Sequence, residues 1–454
     1  MKIQLEERWK FYCSAFLFVI SLTALGFIQR ENISALFPLY LSSFLGFVLV
    51  LGTYRTHTEV YILLGLAFIA SLFQTPELSN DFNRFLWDGE WLTRGVNPYD
   101  FRPNHLTKHE DFAVNTHLQQ LFENMGTLSQ QNYSCYPPLT QVFFTIAAFL
   151  SESSFVGLLV LRLLFIAVVL VALKSSRQLV EKGDLDQKAI WLIFLNPLFI
   201  VEVFFNLHFE GVMICLLLIS FIHLIQSKLI SGSILFAAAV HIKLIPLMLL
   251  PFFWRFLGWK KALWLYVLVL CVVILLALTL IDQHNYQQFM ESLTLYFKVF
   301  EFNSFILHYY LHYGYWKLGW NATMFYGPRL ARIAIQCITV FALYGEFKTP
   351  EALFKRMTIA YFIYLLLSST LHPWYILSLL FLSIFTTYLF PLLWSLTVII
   401  SYAFYGEGNT ASTNEILLWI EYLPVLVLFG FEMVFGGLRN KTSLLNQSRF
   451  GTGS

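Results

Sequence analysis

Residues 79–99 read SNDFNRFLWDGEWLTRGVNPY, a stretch that packs charge, aromatic rings and turn residues directly behind a hydrophobic segment. At about 100° of turn per residue, a helix starting near Asn80 brings Asp81, Arg84 and Asp88 onto one face. Two acids and a base then look out together. Gly95 and the Asn97-Pro98-Tyr99 turn end that helix, as a glycine just past the last turn and a proline beyond it commonly do. Geometry alone also fits a solvated amphipathic helix on a membrane surface, so the rest of the chain has to decide between the two.

The 454-residue chain is 58% hydrophobic and only 12% charged, whereas soluble domains carry roughly 25% charged residues. This composition is that of an all-α polytopic membrane protein. A net charge of +2, from 29 basic and 27 acidic residues, leaves no basic surplus for a nucleic acid. The 47 Phe, 23 Tyr and 12 Trp suit lipid-facing helices and interfacial rings. Five scattered cysteines form neither a disulfide framework nor a CxxC metal pair. The N-terminal MKIQLEERWK and the apolar run behind it lack a small-residue cleavage site and read as a retained first span.

Apolar windows at 11–28, 34–52 and 58–74 each approach the roughly 20 residues that a bilayer crossing needs. Lys2, Arg8 and Lys10 before the first, and Arg55 between the second and third, belong in the cytoplasm by the positive-inside rule. Three crossings bring residue 75 outside, which makes 75–150 a first extracytoplasmic loop with amphipathic juxtamembrane helices. Residues 137–150, entered through Pro137-Pro138, read as a short interfacial or re-entrant helix, because a full span there would send Lys174, Arg177, Lys182 and Lys188 outside. After windows at 155–173, 188–206 and 211–226, parity asks for a hairpin at 231–257, broken around Lys243 and Pro246. A span at 262–281 leads to a second extracytoplasmic loop, 282–320. Windows at 322–345, 356–371, 373–389, 390–405 and 415–436 then bring Arg439, Lys441 and Arg449 inside. The chain 1–454 reads as one membrane domain, a bundle of about 12–14 transmembrane helices. No internal repeat is visible, which counts against an inverted-repeat transporter.

On this topology the unusual polar residues gather at one membrane face: Asp81, Arg84 and Asp88, then Glu202, His208 and Glu210, then Lys243, Glu301 and Asn303, and finally His372-Pro373-Trp374-Tyr375. Ionisable groups at a membrane are costly and mark functional sites by default. Taken singly, each also fits a plainer role. Glu202, His208 and Glu210 suit helix ends in interfacial water, Lys243 can snorkel to a headgroup, and Trp374 and Tyr375 suit an aromatic belt. Arg329 and Arg332 fit a phosphate or a headgroup equally well. His308 and His312, at i and i+4, offer two metal ligands with no carboxylate beside them to complete a set.

Asp81-x2-Arg84-x2-Trp87-Asp88-Gly89, Gly95-x-Asn97-Pro98-Tyr99 and Tyr136-Pro137-Pro138-Leu139 resemble the first-loop signature of GT-C membrane glycosyltransferases that use polyprenyl-phosphate sugars. The similarity is closest to the bacterial mannosyltransferase-like group, and weaker to the first mannosyltransferase of glycosylphosphatidylinositol assembly. It continues through Asn196-Pro197 with Glu202 and His208, through Lys243 and Phe302-Asn303-Ser304, to His372-Pro373-Trp374-Tyr375. One departure is Glu210, which stands where many relatives carry an aspartate two residues after the histidine. The resemblance implies a GT-C-type bundle, an inverting reaction, and a catalytic base in the acidic residue that opens the first external loop, here Asp81. It implies no required cofactor, although some members use a divalent metal ion.

On that resemblance the expected reaction moves a hexose, mannose by family likeness, from a polyprenyl-phosphate donor to the hydroxyl of a glycan, glycolipid or protein. The donor's tail stays in the bilayer of an integral multi-pass protein of the bacterial cytoplasmic membrane, and the active site faces outside. Arg84 and Lys243 are candidates to meet the departing phosphate, with Arg84 alternatively orienting Asp81. Trp87, Asp88, Asn97, Tyr99, Tyr136, Glu202, His208, Glu210, Asn303, His372 and Trp374 are candidates for holding donor or acceptor. Two other classes compete: a transporter or flippase for a lipid-linked glycan, and a polymerase or ligase of O-antigen type. The first expects broken helices near mid-membrane in related halves, and the second a long external loop late in the chain.

Overall fold

A computed structural model describes residues 2–181, 185–298, 300–318, 323–345, 347, 349–405 and 411–438. Lys182, Arg439, Lys441 and Arg449, which entered the topology argument, lie outside the described residues. Helices dominate, and the described residues form no β-strand. The chain is an all-α polytopic membrane protein.

Of the about 12–14 crossings expected, five helices among the described residues are long and apolar enough to span a bilayer by themselves: Arg8–Leu25, Ile33–Thr53, Ser154–Glu181, Trp259–Ala277 and Asn414–Phe435. Gln187–Phe194 and Pro197–Phe205 make a sixth if they count as one span bent by 45°. Seven further apolar helices are shorter, 10–17 residues each. Proline accounts for much of the shortening, because its ring cannot donate to the preceding turn. Pro197, Pro246, Pro373 and Pro391 each stand in the first turn of a new helical segment. The hairpin expected at 231–257 does break, since Leu229–Ile242 ends at an extended Lys243 (φ −155°, ψ 138°) and a 3-10 segment Ile245–Phe252 follows. Residues 282–320, expected as a loop, carry two helices, Tyr286–Lys298 and Phe305–Leu318.

The chain divides into two compact units, one built from residues up to Ser79, Leu173–Gly211 and from His372 onward, the other from Asn80–Ala172 and Val212–Leu371. In the first unit α1 (Lys2–Leu25) packs against α2 (Ile33–Thr53) and α3 (His57–Ser71). A capping box of Thr56 and Glu59 starts α3. Buried carboxylates in this unit have donors to meet them: Glu421 accepts the Trp394 indole N–H at 3.0 Å, and Glu432 accepts the backbone N–H groups of Leu389, Phe390 and Leu438.

The second unit is organised around α4 (Asp81–Thr93), which packs on the helix Pro138–Phe149 and on Thr116–Asn124. Its end is the one that residues 79–99 promise. Gly95 has φ +77°, its N–H bonds the Leu92 carbonyl and the Val96 N–H bonds the Trp91 carbonyl, which is the Schellman arrangement. The face of α4 is a different matter. Ten consecutive residues, Phe82–Trp91, are buried, so this is no solvated surface helix. The helical wheel groups Asp81, Arg84 and Asp88 correctly, but that face turns inward against protein.

Gly89 is what allows the approach, because a Cβ there would lie 2.2 Å from the Phe144 carbonyl oxygen of the facing helix. Gly89→Ala must therefore push the two helices apart, at an overpacking cost of about 1–3 kcal/mol. A lowered thermal midpoint for the detergent-purified variant is expected, and a midpoint equal to wild type would contradict the close contact.

Candidate active site

Within the α4 unit the sequence motif resolves into a buried clamp and a half-buried first residue. The Arg84 Nε donates to Asp88 Oδ1 at 2.7 Å, and Arg84 Nη1 donates to the Ser129 and Asn132 carbonyls at 2.7 and 2.9 Å. The other carboxylate oxygen, Asp88 Oδ2, accepts from Ser134 Oγ at 2.6 Å and from Gln141 Nε2 at 3.2 Å. Asp88 is 0% exposed, so both oxygens answer to protein. These contacts tie α4 to residues 129–141. Trp87 is buried among Trp91, Phe112 and Phe122. Asp81, the first residue of the helix, is half-buried.

The second part of the motif is a turn held from two sides. Asn97 Oδ1 accepts the Tyr99 N–H at 3.1 Å while its amide donates to the Leu280 carbonyl at 2.6 Å. The buried Tyr99 ring packs edge-on to Phe289, and its hydroxyl donates to the Tyr136 carbonyl. Burial, with the Asp88 charge nearby, pushes the Tyr99 phenol far above its ordinary value, so it is a donor throughout the working range. Asn285 to Asp100, Arg102 to Glu291 and Ser292 to the Tyr133 carbonyl add further ties. Through these bonds the helix Tyr286–Lys298 is fastened to the first-loop segment.

At the other end of α4, Glu90 is buried against Arg94 and His117. Burial opposes its charge, but hydrogen bonds from His117 and Arg94 outweigh that and hold the carboxyl below the usual carboxylate range. Lys243 is brought to the helix Pro138–Phe149 indirectly: the Thr140 hydroxyl donates to the His241 and Ile242 carbonyls at 3.3 and 3.0 Å, just ahead of the break. Asn303 is buried with φ +50°, and a backbone pairing of Phe302 with Ser369 and Leu371 pins its segment.

The first unit gathers the other candidates. Glu202 stands on a π-helix, Ile200–Phe205, and is 0% exposed. Its Oε1 accepts the Tyr402 hydroxyl at 2.9 Å, and its Oε2 lies 3.4 Å from His208 Nε2. The His208 ring lies nearly flat on Trp374, centroids 3.5 Å apart, and His372 is also parallel to that indole at 4.4 Å. Glu210 opens the next helix and is buried.

Sequence reasoning missed Ser134, Gln141 and Tyr402. Gln141 had a weak signal, a polar residue inside the apolar helix after Pro137-Pro138, whereas Tyr402 is separated from Glu202 by 200 residues. Among the described residues no three His, Cys, Asp or Glu side chains gather to hold a metal ion.

Residues 40–258 match the model of the MptA_B family, alpha-(1->6)-mannopyranosyltransferase, N-terminal domain. The match covers just under half of the chain and is to a mannosyltransferase family, and the protein is a membrane mannosyltransferase. The match takes in Asp81, Arg84, Asp88, Glu202, His208, Glu210 and Lys243, while Asn303 and His372-Trp374 lie beyond it. Comparison with curated proteins and with solved structures finds no match.

The clamp makes a sharp prediction. Arg84→Met leaves a buried carboxylate facing only neutral donors, a loss of about 3–5 kcal/mol, and Asp88→Leu strands the guanidinium in the same way. The double variant should melt above either single one. If it melts at the sum of both losses, the two residues do not act as a pair.

Proposed function

We propose that the protein transfers mannose from a polyprenyl-phosphate donor to an acceptor hydroxyl at the extracytoplasmic face of the membrane, with inversion, forming an α-1,6 linkage. The acceptor oxygen attacks the anomeric carbon as the bond from that carbon to the phosphate oxygen breaks. Asp81 takes the hydroxyl proton, and the electron pair of the broken bond leaves on the lipid phosphate. General-base help of this kind is worth about 10²- to 10⁴-fold.

The observation that carries this reading is the contrast along α4. Arg84 and Asp88 are buried inside protein and tie the helix to residues 129–141, while Asp81 opens the same helix at a half-buried position. A base must be held firmly and still reach substrate. Lys243, half-buried at the break after Ile242, is assigned the developing phosphate charge. Arg84 is assigned to support, since its Nε and Nη1 are committed. The outward orientation rests on the positive-inside count, and the lipid donor on the resemblance and on the lack of a glycine-rich loop for a nucleotide sugar. A bacterial cytoplasmic membrane follows from the same likeness.

Asp81→Asn keeps size and removes the base. Turnover with a synthetic polyprenyl-phosphate mannose should fall by about 10²-fold or more, with the thermal midpoint held. Near wild-type turnover in the folded variant would sink the assignment.

A further inference from the structure

The span Trp259–Ala277 has 19 residues, and only 17% of its apolar window is buried, so most of its sides face lipid. At 1.5 Å of rise per residue it extends about 28 Å, close to the roughly 30 Å of a hydrocarbon core. Its first turn therefore stands at headgroup level. The chain arrives there from the 3-10 segment Ile245–Phe252 through a short helix, Phe253–Leu257, and turns at Gly258. The φ of +77° at that turn suits a residue without a Cβ. Beside the turn lies a shallow, open cleft of about 570 Å³ lined by Trp254, Arg255, Gly258 and Trp259. All of these residues belong to the α4 unit.

Charge at this corner is one-sided. Arg255, Lys260 and Lys261 are exposed, and among the described residues no carboxylate pairs with any of them. Elsewhere in the same unit Arg84, Arg94, Arg102 and Lys355 each meet one. The two lysines also stand in the first turn of their helix, where the backbone dipole favours an acid. Arg255 Nη2 reaches the Gly345 carbonyl at 3.5 Å, a long contact that leaves its charge without a counterion. Trp254 and Trp259 are 42% and 58% exposed, and Lys260 Nζ lies 5.5 Å from the Trp259 ring centroid. Exposed indoles of this kind belong where acyl chains meet headgroups. A positive-inside signal accounts for basic residues near the end of a span, but it needs neither a cleft nor two indoles beside them. A ligand with an anionic head and an apolar tail matches all three.

We propose that this cleft binds an anionic phospholipid, its phosphate met by Arg255, Lys260 and Lys261 and its acyl chains lying against the lipid-facing side of the span that starts at Trp259. The site is separate from Asp81 and Lys243, and its test is independent of theirs.

The purified full-length protein, delipidated in detergent, is titrated with phosphatidylglycerol or with phosphatidylcholine of the same chains, and bound lipid is counted by native mass spectrometry. Each Lys or Arg near an anionic lipid contributes about a fivefold preference, and three together roughly a hundredfold. Wild type should therefore hold a first phosphatidylglycerol in preference to phosphatidylcholine. Affinity for that lipid should fall roughly a hundredfold when Arg255→Gln, Lys260→Gln and Lys261→Gln are combined. A matched triple variant, Arg8→Gln with Lys10→Gln and Lys174→Gln, removes the same charge from exposed positions elsewhere and should keep the lipid. Equal losses in the two triple variants would mean diffuse surface charge and would overturn the proposal, as would equal binding of the two lipids by wild type. Displacement of the lipid by inorganic phosphate at matched concentration would overturn it too, because the cleft would then take a free anion. If the thermal midpoint shows that the first triple variant does not fold, Arg255→Gln alone carries the same readout, with a loss of about fivefold.

Discussion

A carboxylate removed from water has to be met by donors, and Asp88 is the case on which the α4 unit depends. Its desolvation costs several kcal/mol, and the compensation comes from three side chains on two segments: Arg84 on α4, then Ser134 and Gln141 beyond the next polar stretch. Arg84 brings the Ser129 and Asn132 carbonyls into the same network. The helix and residues 129–141 can therefore close only together, and Gly89 supplies the clearance they need. What this closure holds in place is the start of α4, where Asp81 stands.

The other unit handles buried acids in two ways. Glu421 and Glu432 are met by an indole N–H and by backbone amides in unstrained surroundings, and tying segments together accounts for them. Glu202 is met by a phenol at one oxygen, its other oxygen lies 3.4 Å from an imidazole nitrogen, and it stands on a π-helix that runs into a left-handed leucine. Hydrogen bonding alone does not require that strain, which separates Glu202 from the two structural carboxylates of the same unit.

Much of the architecture is legible in residues read singly or in short runs. Gly95 ends α4 because only a residue tolerant of φ +77° closes that turn cheaply, and Pro138 opens the following helix at its first position. The break at Lys243, inferred from charge parity, coincides with an extended residue between two helical segments. The direction in which a helix face points is another matter, since periodicity groups Asp81, Arg84 and Asp88 without saying whether protein or solvent lies opposite. The Ser134 and Gln141 contacts, and the reach of Tyr402 across the sequence to Glu202, are tertiary facts with no local signature. Helices within 282–320 escaped because their aromatic and polar residues mimic a loop in composition.

The most direct measurement of the central claim is donor use by the purified protein in nanodiscs, with the anomeric configuration of the product read by NMR. Polyprenyl-phosphate mannose should be consumed, nucleotide-linked mannose ignored, and the new linkage should have the configuration opposite to that of the donor. Transfer from the nucleotide sugar without a lipid intermediate, or a product with the donor's configuration retained, would contradict it.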